Sequence, residues 1–300
     1  MSFEHIPGHD VIKKRLLSAI DTGAVSHAYI FSGMSGVGKT AAALEFAEML
    51  TGGSQPDIIR VTNEHYGVKE KAALSVDAVR AARVDVYTKP YAADRKVFIF
   101  SDAETMTTQA QNALLKVFEE PPPYCVIILL AQNESMLLPT IRSRAVTMRF
   151  TPLDNSIVKR YLLEKHGMES EIILRLCSGS VARADELAEA NGEAMSAEFA
   201  EVFRSFASGD RSGAYKAVEI FEREKARFGI LLDLIIAIAY DSMSDTHGGA
   251  GLLRQGGIKP AACLGIIDLT EKARAALNTN RNYNMVVSEL MLETWRFLND

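Results

Sequence analysis

The segment Gly33–Thr40, which reads GMSGVGKT, constrains the fold of this chain more than any other. It satisfies the pattern G-x-x-x-x-G-K-[S/T], in which glycines let backbone N–H groups turn around phosphate oxygens and the lysine supplies a charge for the outer phosphates. An apolar run, AYIF, precedes it, and a helical pattern, AAALEFAEML, follows it. This order aims the positive end of the helix at the phosphates. The segment therefore predicts a phosphate-binding loop in a P-loop fold.

The group that suits such a loop is a nucleotide, ATP with Mg²⁺. The predicted contacts are Gly33, Ser35, Gly36, Val37, Gly38, Lys39 and Thr40. The Thr40 hydroxyl is the expected magnesium ligand within this pattern. A chain that no longer binds nucleotide could keep the same loop for its shape. Nucleotide binding and a purely structural role of the loop are therefore both open alternatives.

Residues up to about 150 alternate between short apolar runs and helical patterns. Strands are predicted within AYIFSG, DIIRVTN, KVFIFSD and CVIILLAQN, and helices within AAALEFAEMLTG, VDAVRAARVDV and TMTTQAQNALLKVFEE. Strands that alternate with helices predict a parallel sheet covered on both faces. The fold class of this part is therefore α/β.

The strand pattern ends near Thr151, and the rest of the chain reads as helices with glycine breaks. We predict three domains, at 1–151, 152–205 and 206–300, the last two all-helical. The most apolar stretch, Phe228–Tyr240, contains Asp233 and is too short to span a bilayer, so it predicts a buried helix. The glycine-rich segment 246–260 predicts a loop.

Composition excludes several classes of protein. A net charge of −5 argues against a DNA-binding protein that acts alone, because phosphate neutralisation needs a dense basic face. The three cysteines form no CxxC pair and the six histidines are scattered, which predicts no structural zinc. The first residues, MSFEHIPGHD, lack the order of a signal peptide, so we expect a cytoplasmic protein without a membrane segment.

Several segments together resemble one family. SHAYIFSGMSGVGKT is similar to the phosphate loop of bacterial DNA polymerase III clamp-loader subunits, which are AAA+ proteins, and QNALLKVFEEPP and LLPTIRSRA resemble the segments that follow it there. NTNRNYNMVVSELML resembles the last helices of the delta-prime subunits. The resemblance implies an AAA+ domain over 1–151, a helical lid over 152–205 and a collar domain over 206–300. It also implies a place in a hetero-oligomeric ring that opens a sliding clamp and loads it on primed DNA, with motor (tau/gamma) and delta subunits as partners.

Hydrolysis of ATP in this family requires an aspartate–glutamate pair after an apolar strand, one carboxylate for magnesium and the next for the attacking water. Here KVFIF is followed by Ser101, Asp102, Ala103 and Glu104. Aligned on the strand, Ser101 replaces the magnesium aspartate and Asp102 replaces the base. If the register shifts by one, Asp102 is the ligand and Ala103 leaves no base. Both registers predict weak or absent ATPase activity, with Asp102 as a degenerate catalytic residue.

The resemblance assigns three further residues. Asn133, after CVIILLAQ, corresponds to a sensor-one position, with a polar strand end as the alternative. Arg183 in GSVARA lies where a lid-borne sensor-two arginine contacts nucleotide, although a surface helix charge would read the same. Arg144 in LLPTIRSRA corresponds to the arginine that is donated in trans to the neighbouring ATP site, against the alternative of a surface ion pair. The family's zinc-bearing insert is absent, since MLTGGSQPDIIRV contains no cysteine.

Two hypotheses follow. The first is a non-motor clamp-loader subunit of the delta-prime type, a component of the DNA-directed DNA polymerase III complex. The alternative is a catalytically active AAA+ motor subunit of a clamp loader or of a related DNA-replication ATPase. The missing carboxylate pair after KVFIF favours the first.

Overall fold

A computed structural model describes residues 3–68, 74–210, 212–243, 260–278 and 281–299. The glycine-rich loop predicted at 246–260 lies outside these residues except for Pro260. The strands are β1 Ala28–Ser32, β2 Ile58–Val61, β3 Lys96–Phe100, β4 Cys125–Ala131 and β5 Val146–Arg149. The α-helices of the described ranges are α1 Asp10–Asp21, α2 Lys39–Thr51, α3 Val76–Val86, α4 Thr108–Glu119, α5 Pro139–Arg142, α6 Asn155–His166, α7 Glu171–Cys177, α8 Val181–Glu189, α9 Gly192–Ala207, α10 Ser212–Arg223, α11 Phe228–Met243, α12 Pro260–Asn278 and α13 Tyr283–Asn299.

The five strands form one sheet in the order β2–β3–β4–β1–β5, and every pairing is parallel. The four strands and three helices predicted before residue 150 are confirmed, and so is the parallel α/β class. β5 was not predicted, because its four residues, VTMR, are too short and too polar to stand out from a loop. Its position is set by pairing with β1, in which Tyr29 lies opposite Val146.

Alternating side chains divide the core between the two faces of the sheet, as the two-residue period of a strand requires. Tyr29 and Phe31 of β1 belong to the cluster that includes α1 and α2. Ala28 and Ile30 belong to the cluster that includes α3 and α4. Both faces of β1, β3 and β4 are therefore buried, which explains why these strands are almost continuously apolar in sequence.

The strand order places a switch point beside β1. The chain leaves β1 through α2 for β2 at one edge of the sheet, and it leaves β4 for β5 at the other edge. In open parallel sheets, ligands bind in the crevice at the carboxyl ends of the strands at such a point. The loop 33–38 follows the carboxyl end of β1 and lies at this crevice.

The chain divides into two compact units. The first comprises Met1–Glu164 with Ser178–Ala182, and the second comprises Lys165–Cys177 with Arg183–Asp300. Within the described ranges, no strand follows β5, and the predicted buried helix is confirmed in α11. Phenylalanines of α9 and α10 pack together in the core of the second unit. The domain boundaries at 151 and 205 stay predictions.

None of the helices described is both long and apolar enough to cross a bilayer. Among the same residues, no group of three or more histidine, cysteine, aspartate or glutamate side chains is arranged to hold a metal ion. The three cysteines are buried as free thiols, and burial raises the pKa of Cys125 to about 12. The absence of zinc stays a prediction.

Candidate nucleotide-binding site

The loop after β1 has the backbone that its glycines allow. Gly33 and Gly36 have φ angles of 151° and 77°, which residues with a Cβ atom rarely adopt. A Cβ at Gly33 would lie 2.2 Å from the carbonyl oxygen of Phe150, and one at Gly36 would lie 2.1 Å from Oγ of Ser180. The loop is therefore enclosed by the residue after β5 on one side and by the segment before α8 on the other. Both glycines are required by close approach as well as by φ.

Backbone hydrogen bonds attach the loop to its surroundings. The Gly33 N–H donates to the Ala131 carbonyl at the end of β4, at 3.1 Å. The Ala182 N–H donates to the Gly36 carbonyl, also at 3.1 Å. The loop thus has its shape through contacts with β4 and with residues 180–182, which belong to the same compact unit.

Lys39 lies across the loop. Its ammonium group donates to the carbonyl oxygens of Gly33 and of Met34, the latter at 2.8 Å, and its side chain is almost fully buried. Burial lowers the pKa of Lys39, while the negative charges of Glu104 and then Asp102 act in the opposite direction. The lysine is held at the centre of the loop, in reach of an anion that the loop encloses.

Helix α2 begins at Lys39 with its first-turn N–H groups directed at the loop. Gly38 precedes it in a left-handed conformation and provides no side-chain cap. The first N–H groups of a helix have no partner within the helix, and a phosphate can satisfy them. Ser35 and Thr40 are exposed at the same place, whereas Val37 is buried in the core. The seven predicted contact residues therefore lie in the loop 33–38 and in the first turn of α2, and the side chain of Val37 is turned into the core.

His9, which sequence reasoning missed, supports the loop from the other side. Its Nε2 lies 2.9 Å from the Val37 carbonyl oxygen, a contact in which the ring nitrogen donates. Its ring packs edge-on against Phe150 at 4.7 Å. Burial lowers the pKa of His9, and the hydrogen bond to Val37 opposes this. Gly8 and His9 both have positive φ just before α1. The glycine at position 8 could have indicated this turn from the sequence, because glycine adopts positive φ readily.

The residues after β3 form a tight turn. Asp102 has a left-handed backbone and an exposed side chain, and a 3₁₀ helix follows at Ala103–Thr105. Glu104, inside this 3₁₀ helix, accepts a hydrogen bond from the Gln132 N–H at 3.0 Å. Its second carboxylate oxygen, Oε2, is buried and has no hydrogen-bond partner among the described residues. Of the acidic groups, Glu104 is the one whose charge acts most on Lys39. The roles predicted for Ser101 and Asp102 stay predictions.

Gln111 of α4 joins the turns that follow β3 and β4. Its side-chain amide donates to the carbonyls of Met106 and Met136, and its carbonyl oxygen accepts from the Leu138 N–H. All the hydrogen-bonding groups of this buried amide are thereby used. This contact gives a physical reason for the joint occurrence of QNALLKVFEEPP and LLPTIRSRA in the sequence.

Asn133 and Arg144 have structural partners in the first unit. The Asn133 side chain accepts from the Ser135 N–H at 2.9 Å and caps the 3₁₀ helix Glu134–Met136. Arg144 follows α5 and is half-exposed. It donates to the Thr140 carbonyl and to the Glu119 carboxylate, at 3.1 and 3.2 Å.

Arg183 lies in α8, in the second unit, immediately after Ala182. Its guanidinium pairs with Glu186 and with Asp233 of α11. Asp233 also accepts from Arg274 of α12, so two arginines share one carboxylate. Arg183 and the loop belong to different compact units, and the nucleotide contact of Arg183 stays a prediction.

Comparisons with known proteins agree with this geometry. A family profile described as "DNA polymerase III, delta subunit" matches residues 8–154. The DNA polymerase III subunit delta' of Bacillus subtilis is 28% identical over 228 residues, which cover 71% of this chain and 65% of that protein. The DNA polymerase III subunit gamma/tau of Mycobacterium tuberculosis is 31% identical over 165 residues, which cover 48% of this chain and 27% of that protein. The chain thus spans little more than a quarter of the gamma/tau relative.

A solved structure has the same fold. The crystal structure of a DNA polymerase III gamma subunit-related protein from Thermotoga maritima aligns with a TM-score of 0.54 and 19% identity, over 94% of this chain and 99% of that one. Residues 8–154, just under half of the chain, therefore match the profile of the DNA polymerase III delta subunit, and the chain is homologous to gamma/tau and delta' subunits of DNA polymerase III.

Proposed function

We propose that this chain is a delta-prime-type subunit of a replicative clamp loader that holds ATP in its loop and hydrolyses it weakly or not at all. One observation carries the proposal. The residue that directly follows β3 is Ser101, and the next carboxylate, Asp102, is exposed on a left-handed turn. Such a site has no adjacent aspartate–glutamate pair to hold magnesium and polarise water, and loss of a positioned base removes a factor of roughly 10²–10⁴ in rate.

The loop itself supports nucleotide binding. A site for a chain of phosphates requires glycines in close quarters, a lysine and a helix N-terminus with free N–H groups. This loop has two enclosed glycines, a buried lysine and a helix N-terminus without a side-chain cap. Oε2 of Glu104 is a buried acceptor with no partner among the described residues, and the charge of Glu104 acts on Lys39. Carboxylate oxygens are ligands that suit magnesium. The residues present therefore fit ATP with Mg²⁺, with Thr40 as the expected protein ligand of the metal.

Arg144 supports a role towards a neighbouring subunit. It lies two residues beyond the end of α5 on a half-exposed surface, and its two present partners are a surface carboxylate and a carbonyl. An exposed ion pair of this kind contributes about 0–1 kcal/mol, so a phosphate can replace it at little cost. In the proposal, Arg144 acts in trans as the arginine finger of the adjacent ATP site.

The remaining parts of the proposal concern assembly. The AAA+ domain extends over 1–151, a helical lid over 152–205, and a collar that holds the ring together over 206–300. The partners are the motor (tau/gamma) and delta subunits, with the sliding clamp and primed DNA reached through the complex in the cytoplasm. The helices from α6 to α13 and the homology to delta' over 228 residues support this part.

The alternative function is an active motor. Lys39 and Thr40 are intact, and the gamma/tau relative is 31% identical over the matched residues. Steady-state ATPase of the purified chain separates the two. We expect ATP binding by isothermal titration calorimetry, weaker binding by Lys39→Ala, and almost no turnover. Turnover at about 1 s⁻¹ or faster, within the usual enzyme range, would show that the chain is a motor.

A further inference from the structure

One peptide group connects the phosphate loop to an acidic side chain. The peptide between Ala131 and Gln132 ends β4. Its carbonyl oxygen accepts from the Gly33 N–H, at 3.1 Å, and its N–H donates to Glu104 Oε1, at 3.0 Å. Glu104 is thereby fixed in orientation relative to the first residue of the loop. One oxygen of this carboxylate is therefore bound by the protein backbone and not only by solvent.

The other oxygen of the same carboxylate has no partner. Oε2 of Glu104 is buried from solvent and makes no hydrogen bond to the described residues. Leaving a buried acceptor unsatisfied costs about 1–3 kcal/mol, and more when the group is charged. In native proteins such a group calls for an explanation, and a water or an ion is among the common ones.

The carboxylate of Glu104 lies close enough to the phosphate loop for its charge to act on Lys39. The charge of Glu104 acts on Lys39 more strongly than that of Asp102. A negative side chain beside the lysine repels bare phosphates, but it attracts a hydrated magnesium ion that the phosphates carry. Magnesium usually keeps several of its waters when it binds with nucleotide phosphates, and these waters donate hydrogen bonds.

We propose that Glu104 is a positioning residue for magnesium-bound nucleotide, and that its Oε2 accepts a hydrogen bond from a water ligand of the metal. The proposal rests on the proposed nucleotide binding by the loop. The carboxylate near the metal is then supplied by a residue three positions after Ser101. Glu104 has this position because the 3₁₀ helix Ala103–Thr105 returns the chain towards β4.

The experiment is isothermal titration of the full chain with ATP, once with Mg²⁺ and once with EDTA. The variant Glu104→Gln keeps an oxygen for the Gln132 N–H but removes the charge. We expect the gain in affinity from Mg²⁺ to fall about tenfold, the lower range for residues that support a metal through its ligands. In EDTA the variant should bind at least as tightly as wild type, because a repulsive charge is gone. Glu104→Ala should show the same loss of the Mg²⁺ gain.

Asp102→Asn removes the exposed neighbouring carboxylate, which one alignment makes the metal ligand, and under this proposal it should reduce the Mg²⁺ gain much less than Glu104→Gln does. An equal Mg²⁺ gain in wild type and both Glu104 variants would overturn the proposal and leave Glu104 as a clamp on β4. Equal losses in Asp102→Asn and Glu104→Gln would also overturn it, because the effect would then be one of general charge. No ATP binding by wild type in either condition would overturn nucleotide binding itself, a different result from the first two.

Discussion

Gly33 and Glu104 are hydrogen-bonded to opposite sides of the peptide group that joins Ala131 to Gln132. The start of the phosphate loop and the acidic turn after β3 are therefore coupled through the end of β4. His9 supports the loop from α1. All of these contacts are made between groups of the protein itself. The proposed ATP binding does not require turnover, because binding and hydrolysis depend on different residues.

Substitution of Gly36 tests how closely the loop is enclosed. Gly36→Ala adds a Cβ 2.1 Å from Ser180 Oγ at a φ of 77°, so both strain and overlap oppose it. We expect a loss of about 3 kcal/mol in the free energy of unfolding and no measurable ATP binding. Gly52→Ala is the control, since Gly52 has a φ of 60° with nothing within 4 Å. It should cost only about 1 kcal/mol and leave ATP binding intact. Chemical denaturation and titration calorimetry measure both effects, and similar losses in the two variants would contradict the enclosure.

Asp57 gives the protein a pH-dependent contribution to stability. Burial by itself raises the pKa of this carboxyl, but N–H groups of Tyr91, Ala92 and Ala93 and the Ser54 hydroxyl donate to it and lower the pKa to about 2. Because the folded pKa lies below the unfolded value of 3.8, the contribution is complete above that value and is lost as the pH falls towards 2.

We therefore expect the melting temperature to fall more steeply between about pH 4 and pH 2 in wild type than in Asp57→Asn, which has no charge to lose. At neutral pH this variant should be about 3 kcal/mol less stable, because an amide cannot accept all four hydrogen bonds. Asp94→Asn, in the exposed part of the same loop, should behave like wild type. Parallel pH profiles for wild type and Asp57→Asn would refute the assignment.

The structure also shows which parts of this site a sequence can reveal. Gly33–Thr40 was predictable because each residue type has a local chemical reason to be there. The parallel sheet was predictable because β1, β3 and β4 are buried on both faces. β5 depends on pairing with β1, and its sequence, VTMR, carries little signal alone. The role of Glu104 was not predictable either, since its partner is a backbone N–H 28 residues away.

The predicted nucleotide contact of Arg183 can be tested by comparison with a second arginine that pairs with the same carboxylate. Arg183 and Arg274 both pair with Asp233, but only Arg183 is predicted to contact nucleotide. Arg183→Ala should weaken ATP binding about tenfold, the size expected for one hydrogen bond to a charged group, and Arg274→Ala should leave it unchanged. Fluorescent-nucleotide titration measures both. Equal effects would show that the loss comes from the ion pair with Asp233 rather than from a nucleotide contact.

Arg144 allows the sharpest test of the proposed function. A guanidinium stays charged at all relevant pH values and presents a planar fork that matches two phosphate oxygens. Its present partners, Glu119 and the Thr140 carbonyl, lie at a half-exposed surface and can be exchanged. Arg144→Ala should therefore leave folding, ring assembly and ATP binding by this chain nearly unchanged. It should reduce the rate at the neighbouring ATP site on the order of 10³-fold, the lower range for an arginine finger.

The measurement is the DNA- and clamp-stimulated ATPase of the reconstituted complex, with wild-type or variant subunit. Arg144→Lys should restore little, since an ammonium group lacks the fork. Arg142→Ala is the matched control, because Arg142 is exposed at the end of α5, two residues before Arg144, and has no predicted role. Glu119→Gln separates the two interpretations of Arg144. If Arg144 is an arginine finger, Glu119→Gln only frees it from its surface partner, and the ATPase stays at or above the wild-type rate. If Arg144 acts through its ion pair with Glu119, the variants Glu119→Gln and Arg144→Ala lose the same amount of ATPase activity. Equal ATPase rates in Arg144→Ala, Arg142→Ala and wild type would mean that Arg144 is a surface charge with no part in the neighbouring site.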